Sequence, residues 1–416
     1  MRLMIENIGI VEKADVEING LTVIAGNNDS GKSTVGKIAY SLTKAFEDFE
    51  RNYERESAEK MDKYIRQFYI LFRESVALDK YPELQKFMDS LRSYRNVDNK
   101  ILLELIVDSI ILLEKIDADK EKKAKIIKLY NEINSLFQEK EPIHLRIIQS
   151  IQRIFKSEFS NQITNVFANE GRIDVYEGKN KIINIIIKDN KPSIGEQDID
   201  EIFPFGSSIF IETPYVLDYK RYLEILRGDL QCPEIYHVKD LLSKLTQYHL
   251  SKEETKLDIS KIISGEVYFD EDNNDFFFKK YAGNKKVIIE ILDTASGIKN
   301  FGMLQILESA GEFNKNLLLV INKPEIYLHP DWQIEYAKIL IKLVENGVNV
   351  LVTSHSPYLI VAIDKYSKKS EIRKNVKFYL SELTNNGNAL IVDKTNDKNE
   401  IFVKLSKPLE NLVFGD

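Results

Sequence analysis

Cysteine is almost absent from this sequence, and histidine is rare. The chain of 416 residues has one cysteine, Cys232, and five histidines. A single thiol excludes a disulfide framework and any zinc or iron–sulfur centre that is built from several cysteines. The five histidines are scattered and show no paired metal-ligand spacing. The chemistry of this chain is therefore expected to depend on other residue types.

Long apolar runs and an excess of positive charge are also missing. No hydrophobic segment approaches the roughly 20 residues that span a bilayer. The first residues alternate like a β-strand and show no signal-peptide cleavage pattern. With 58 basic and 65 acidic side chains the formal net charge is −7, which argues against coating nucleic acid through bulk charge. We therefore expect a cytoplasmic globular protein without a membrane partner, in which a local basic groove could still contact DNA.

Glycine and proline are unevenly distributed, and their distribution divides the chain into three parts. Residues 1–46 predict short strands, a buried strand at 21–25, a glycine-rich loop and a helix that starts at Lys32. Residues 47–165 contain no glycine and little proline, and their mixture of charged and apolar residues predicts a helical insertion. Residues 166–416 return to strands that alternate with helices. This alternation predicts an α/β fold with a mostly parallel sheet.

One glycine-rich segment carries a complete phosphate-binding motif. It reads GNNDSGKST, which matches G-x-x-x-x-G-K-[ST] without a gap, and it lies between a buried strand and a helix. The glycines let consecutive backbone N–H groups face an anion, and the helix N-terminus adds its dipole. In this motif the lysine reaches the β- and γ-phosphates, and the next hydroxyl binds Mg²⁺. The predicted nucleoside triphosphate site consists of Gly26, Asn27, Asn28, Asp29, Ser30, Gly31, Lys32, Ser33 and Thr34.

Three later segments follow this loop in a recognisable order. TASGIK at 294–299 opens a helix, NKPEIYLHP at 322–330 follows a buried strand at 317–321, and SHSP at 354–357 follows another buried strand. Together with the phosphate loop they resemble the ABC-type ATPases of the SMC, RecF and overcoming-lysogenisation-defect group, over nearly the whole chain. The resemblance implies an ABC-type ATPase head with added antiparallel strands. It also implies that two chains close head to tail around two molecules of ATP and Mg²⁺.

The resemblance assigns roles to several residues in these segments. Ser296 and Gly297 match the signature motif, which contacts the γ-phosphate of ATP held by the other subunit; a helix N-cap is the simpler role for Ser296. His355 matches the switch histidine that senses the γ-phosphate. Residues 328–330 match the segment that crosses the dimer interface. Residues 212–215 lie where the family has its glutamine loop, but they contain no glutamine and receive no role.

The end of the strand at 317–321 departs from the family pattern. The family has an aspartate that holds Mg²⁺ through water and then a glutamate that activates the attacking water, whereas this chain has Asn322 and Lys323. Asparagine can still orient a water molecule, but it lacks the charge that Mg²⁺ favours. Lysine cannot act as a carboxylate base. Glu325 is an alternative base two positions further on, and harmless drift around a working site is the alternative interpretation of both changes.

Two functions of different classes fit this pattern. The chain resembles stand-alone ATPase subunits of bacterial anti-phage systems, in which an ABC-type dimer or larger ring controls an effector nuclease or toxin. The weak catalytic motif and the short insertion favour this sensor or scaffold function, with ATP hydrolysed slowly or not at all. The alternative is a RecF-like or SMC-like ATPase that binds DNA in repair, against which the acidic total charge counts. A third interpretation is an active ATPase without a special partner.

Overall fold

The structure is a computed structural model that describes residues 1–75, 106–108, 110–111, 120–138, 141–160, 162–194, 203–218, 235–246, 257–283 and 285–415. Its contacts divide the chain into two compact units, Met1–Glu47 with Ile151–Asp416 and Asp48–Ser150. The second unit lies within the segment 47–165, whose identity as a separate insertion stays a prediction.

The described strands belong to two sheets. They are β1 (Arg2–Ile8), β2 (Val11–Glu17), β3 (Leu21–Gly26), β4 (Glu170–Glu177), β5 (Asn180–Lys188), β6 (Lys191–Ile194), β7 (Ser207–Ile211), β8 (Gly265–Asp270), β9 (Asp275–Ala282), β10 (Lys285–Glu290), β11 (Leu317–Asn322), β12 (Asn349–Ser354), β13 (Val376–Leu383) and β14 (Ala389–Asp393). Eleven strands form one sheet in the order β6-β5-β4-β1-β2-β14-β13-β3-β12-β11-β7, and β10-β9-β8 form the other. Strands β7, β11, β12, β3 and β13 pair in parallel, whereas β6, β5, β4, β1 and β2 pair antiparallel. The predicted α/β fold, with a parallel sheet and added antiparallel strands, is confirmed.

The central parallel strands are buried on both faces, which explains their continuous apolar sequences. All six residues of β3 and all six of β11 are buried. In the register of the sheet, Leu21 of β3 pairs with Val350 of β12 on one side and with Val376 of β13 on the other. Strands β3, β12, β11 and β7 therefore end at the same edge of the sheet. The loops that leave this edge are the usual place for a ligand in an open parallel sheet.

The helices of the described residues are α1 (Lys32–Ser75), α2 (Lys120–Gln138), α3 (Ile143–Phe159), α4 (Tyr236–Thr246), α5 (Ile259–Ile263), α6 (Ser296–Ser309), α7 (Pro330–Glu345), α8 (Pro357–Ser367) and α9 (Lys398–Phe414). None of these helices combines the length and the apolar character that a membrane span requires. Helix α1 continues past the predicted segment 32–46, because residues 47–75 contain neither glycine nor proline to stop it. Helices α7 and α8 begin with a proline in the first turn, where no intrahelical hydrogen bond is lost.

Candidate functional site

The loop between β3 and α1 curls through left-handed backbone conformations. Gly26 and Gly31 have φ of 150° and 79°, and Asp29 between them has φ of 53°. A Cβ on Gly26 would lie 2.9 Å from the carbonyl oxygen of Ser381, and a Cβ on Gly31 would lie 2.6 Å from Cγ2 of Val11. Both glycines of the motif are therefore required twice, by backbone conformation and by close neighbours.

We expect Gly31→Ala to lower the free energy of unfolding more than Gly387→Ala. Both glycines have φ of 79°, so alanine costs similar backbone strain, about 1–2 kcal/mol, at either position. The new Cβ meets Val11 only at position 31, since no atom lies within 4 Å at position 387. Overpacking of this kind adds about 1–3 kcal/mol. Urea unfolding of the two variants measures the difference, and equal losses would show that the loop can move away from Val11.

The motif lysine is buried, and its described partners are neutral. Lys32 is 2% exposed, and its ammonium donates to the backbone oxygen of Asn27 and, at 3.2 Å, to Oγ of Ser30. Burial, with a smaller contribution from the positive charge of Lys323, lowers the pKa of Lys32 to about 8. A desolvated cation that is held only by neutral acceptors is stabilised when an anion such as phosphate arrives. The loop therefore fits the triphosphate that its sequence predicts.

Asn322 joins three elements at the end of β11. Its Oδ1 accepts hydrogen bonds from Oγ of Ser33 at 2.8 Å and from Oγ1 of Thr353 at 2.6 Å. Its Nδ2 donates to Oε1 of Glu212, the residue directly after β7, at 3.4 Å. The structure thus brings together the predicted pair, Ser33 and Asn322, and adds a carboxylate. A hydroxyl, an amide oxygen and a carboxylate are ligands of the kind that Mg²⁺ takes, so the residues fit this ion.

Glu212 is the site residue that the sequence analysis missed. Together with Asn322 and Lys323 it lines a cavity at the edge of the sheet. Its Oε2 lies 3.2 Å from Nε2 of His237, an ion-pair distance at which the two atoms are not aligned as a hydrogen bond. Contact with His237 holds the pKa of Glu212 below its ordinary value, against burial, which raises it. The sequence feature that indicates a site residue here is the position of Glu212 immediately after an apolar strand.

Glu325 lies against the end of β12. It is 5% exposed, and its Oε1 accepts hydrogen bonds from Oγ of Ser354 at 2.8 Å and from the backbone N–H of His355 at 2.7 Å. Nδ1 of His355 lies 3.2 Å from the same oxygen. The structure therefore brings Glu325 and His355 together. Lys323, two residues earlier, turns through φ of 52° and donates its backbone N–H to Thr353 at 2.9 Å.

Ser296 is the first helical residue of α6, and its N-cap is Ala295, which makes no side-chain cap. The N-cap role that was open for Ser296 is therefore not observed. Oγ of Ser296 lies 3.4 Å from the hydroxyl of Tyr215. A Cβ on Gly297 would lie 2.8 Å from Cζ3 of Trp332, so the helix start packs closely on this ring. Within the described part of the chain, no hydrogen bond joins Ser296 to the phosphate loop.

Residues 1–360 match the family described as AAA ATPase domain. No curated protein matches the chain significantly. Among solved structures, it is similar to the SMC head domain from Thermotoga maritima at 10% identity, with 94% of this chain and 97% of that chain covered and a TM-score of 0.41. It is also similar to the Smc head domain with an extended coiled coil, bound to the C-terminal domain of ScpA derived from Pyrococcus furiosus. The identity is 10%, the match covers 99% of this chain and 98% of that chain, and the TM-score is 0.43. A third similar structure is an ATP-binding cassette of an ABC transporter in its ADP conformation. The identity is 12%, the match covers 98% of this chain and 96% of that chain, and the TM-score is 0.32.

Proposed function

This chain belongs to the AAA ATPase domain family, and we propose that it binds ATP at residues 26–34. We further propose that two subunits stay closed around the bound ATP for a long time, an assembly called the clamp below. The observation that carries the proposal is a complete phosphate loop beside a β11 strand that ends in Asn322 and Lys323. The loop supplies binding, whereas the strand end supplies no carboxylate base. Binding without fast hydrolysis is the property of a scaffold rather than of a cycling motor.

In this proposal the charged and polar side chains of the site divide the work of binding. Lys32 and the backbone N–H groups of the loop bind the phosphates, and Ser33 with Asn322 holds Mg²⁺. The ion, when bound, neutralises part of the phosphate charge. Lys323 adds a second cation, and no hydrogen bond or ion pair among the described residues occupies its ammonium. An anion in the site relieves the repulsion between the two lysines, which favours the bound ground state.

The proposed slow hydrolysis follows from the positions of Lys323 and Glu325. A lysine stands where a general base is expected, and the loss of such a base lowers the rate by ~10²–10⁴-fold. Glu325 accepts hydrogen bonds from Ser354 and from the backbone of His355. We therefore assign Glu325 to positioning His355, which senses the γ-phosphate, rather than to activating water.

The proposed assembly is a homodimer or a larger homo-oligomer that closes head to tail around ATP. Ser296 and Gly297, at the start of α6, contact the nucleotide of the other subunit. A ligand that touches both halves favours the closed state by the difference in its affinity for the two states. A closed state that persists suits a sensor that controls a separate effector, a nuclease or toxin, in bacterial anti-phage defence.

Light scattering on the purified chain, with ATP and with ADP, tests the clamp. We expect a dimer or larger assembly that persists with ATP and dissociates with ADP. Co-expression with the product of a neighbouring gene tests the effector, whose activity the ATP-bound chain should restrain. Fast ATP turnover that duplex DNA stimulates further would contradict this proposal and favour the DNA-binding alternative.

We expect the affinity for ATP to fall as the pH rises above about 8. Below its pKa of about 8 the Lys32 ammonium is charged and ready to pair with phosphate. Above that pH the free protein carries a neutral amine, so binding must take up a proton and affinity falls by up to about tenfold per pH unit. Calorimetry at pH 8 in buffers of different ionisation enthalpy measures this uptake. Lys32→Arg, which stays charged, should show none, and equal uptake by both chains would show that Lys32 is not the group that takes up the proton.

A further inference from the structure

We infer that Glu212 supplies the negative charge for the divalent cation that the end of β11 lacks, and that a buried pair, His237 and Glu158, holds this carboxylate in place. The inference deepens the proposed function and rests on it. Glu212, in the loop after β7, receives a metal-binding role. His237 and Glu158 receive a positioning role and touch neither nucleotide nor metal.

The register of the sheet places Glu212 beside Asn322. Strands β7 and β11 are parallel neighbours, and Ile211 pairs with Ile321, so the next residue of each strand reaches the same edge. Oε1 of Glu212 accepts a hydrogen bond from Nδ2 of Asn322 at 3.4 Å, while Oδ1 of Asn322 accepts one from Ser33 at 2.8 Å. The two side chains are therefore complementary, with one amide and one negative charge.

The amide at position 322 and the carboxylate at position 212 depend on each other. A carboxylate at both positions would place like charges at about the separation of the present hydrogen bond, which is unfavourable without a cation between them. An amide at both positions would leave neither of them with the negative charge that Mg²⁺ favours. Mg²⁺ is usually held by one or two carboxylates together with the phosphates of its substrate. The present pair supplies one carboxylate, from the residue after β7 rather than from the end of β11.

Behind Glu212, a histidine links its carboxylate to a second one. Nε2 of His237 lies 3.2 Å from Oε2 of Glu212, and Nδ1 lies 2.7 Å from Oε2 of Glu158. The backbone N–H of His237 also donates to Oε1 of Glu158 at 2.9 Å. His237 is 1% exposed and Glu158 is 5% exposed. The imidazole cannot rotate without losing its contact with Glu158, so its other nitrogen keeps a fixed position for Glu212.

Aromatic rings complete the surroundings of this histidine. The ring of Phe210 lies 4.7 Å and the ring of Tyr40 lies 6.3 Å from the imidazole, measured between ring centroids. These rings exclude water from the contact with Glu158. Proteins often hold a metal-binding side chain in place with a second residue that contacts it from behind and is shielded from water. Removing such a second residue lowers metal affinity by roughly 10–100-fold.

The test measures how much Mg²⁺ strengthens ATP binding, so it does not depend on turnover. Dissociation constants for ATP are determined in excess Mg²⁺ and in EDTA, and their ratio is compared between chains. We expect Glu212→Gln to reduce the strengthening by Mg²⁺ by roughly 10–100-fold, because ATP then binds more weakly in excess Mg²⁺. The double variant Glu212→Gln/Asn322→Asp should recover it, because the new amide donates to the new carboxylate and the negative charge returns to the site.

The control is Glu312→Gln, which removes a carboxylate that is paired with Lys244 outside the site. His237→Asn should reduce the Mg²⁺ effect while leaving binding in EDTA unchanged, and equal losses in both media would make this histidine structural. Glu158→Gln gives a milder second test if the histidine variant does not fold. An unchanged Mg²⁺ effect in Glu212→Gln, or no recovery in the double variant, would overturn the inference. Absence of ATP binding by the unmodified chain in both media would instead contradict the proposed function.

Discussion

Replacing Asn322 by aspartate and Lys323 by glutamate is expected to raise ATP turnover by roughly 10²–10⁴-fold, the usual contribution of a general base. Aspartate keeps the acceptor oxygen that Ser33 and Thr353 use, and its repulsion with Glu212 is offset once Mg²⁺ is bound with the nucleotide. Glutamate adds the missing base and removes a cation that favours bound ATP. The backbone at position 323, with φ of 52°, holds a non-glycine residue before and after the change, so its strain is similar.

Phosphate release at saturating ATP measures this effect, with the assembled fraction matched between samples. Lys323→Ala is the matched control, because it removes the cation without adding a base. It should change turnover by less than about tenfold. If the unmodified chain hydrolyses ATP as fast as the double variant, Lys323 does not limit the reaction, and a cycling ATPase becomes the better description.

Replacing Lys32 by alanine is expected to remove measurable ATP binding and with it the ATP-dependent assembly. Each hydrogen bond to a charged group contributes about 1.5–3 kcal/mol, or roughly 10–150-fold in affinity. The fold should survive, because a hydrogen bond that does not involve Lys32 also holds the loop. In it, Oγ of Ser30 donates to the backbone oxygen of Asn27 at 2.8 Å. The substitution also removes a buried charge, so the free energy of unfolding should not fall.

Calorimetry with ATP and light scattering on the same samples measure both losses. Lys13→Ala, which removes an exposed lysine of β2, is the control and should bind and assemble like the unmodified chain. Assembly of the Lys32→Ala chain at the usual concentration would show that subunit contact does not need nucleotide. The clamp proposed above would then be wrong, whatever the affinity for ATP.

The phosphate loop was predictable because its determinants are local. A buried strand, a loop with two glycines and a helix follow one another between residues 21 and 46, and the structure forms them in that order. The end of α1 was not predictable from the change in composition near residue 47, since a helix continues until a residue stops it. Strand β9 (DFFFKKYA) has three consecutive apolar residues followed by two lysines, which is neither an alternating pattern nor an apolar run as long as that of β3. Its position between β8 and β10 supplies the pairing that the pattern does not show.

The contacts around Glu212 depend on separations that no sequence pattern encodes. Glu212 and Asn322 are 110 residues apart, and His237 and Glu158 are 79 residues apart. The first contact follows from the register between β7 and β11, and the second from the packing of α4 against the end of α3. The resemblance directed attention to a glutamine at position 212–215, and a carboxylate there had no expected partner. The role of this carboxylate follows from the amide of Asn322, which lies beside it only in the folded chain.

The position of β3 has a consequence for synthesis of the chain. Its neighbours in the sheet are β12 and β13, and its residue Leu21 pairs with Val376, about 350 residues later. At about 5–20 residues per second, a ribosome reaches β13 some 20–70 s after it has made β3. Until β12 has been made, this strand, which is buried along its whole length in the folded protein, has neither of its neighbours in the sheet. The nascent chain therefore exposes this strand until β12 and β13 have been made, and the phosphate loop takes its place in the sheet only after that.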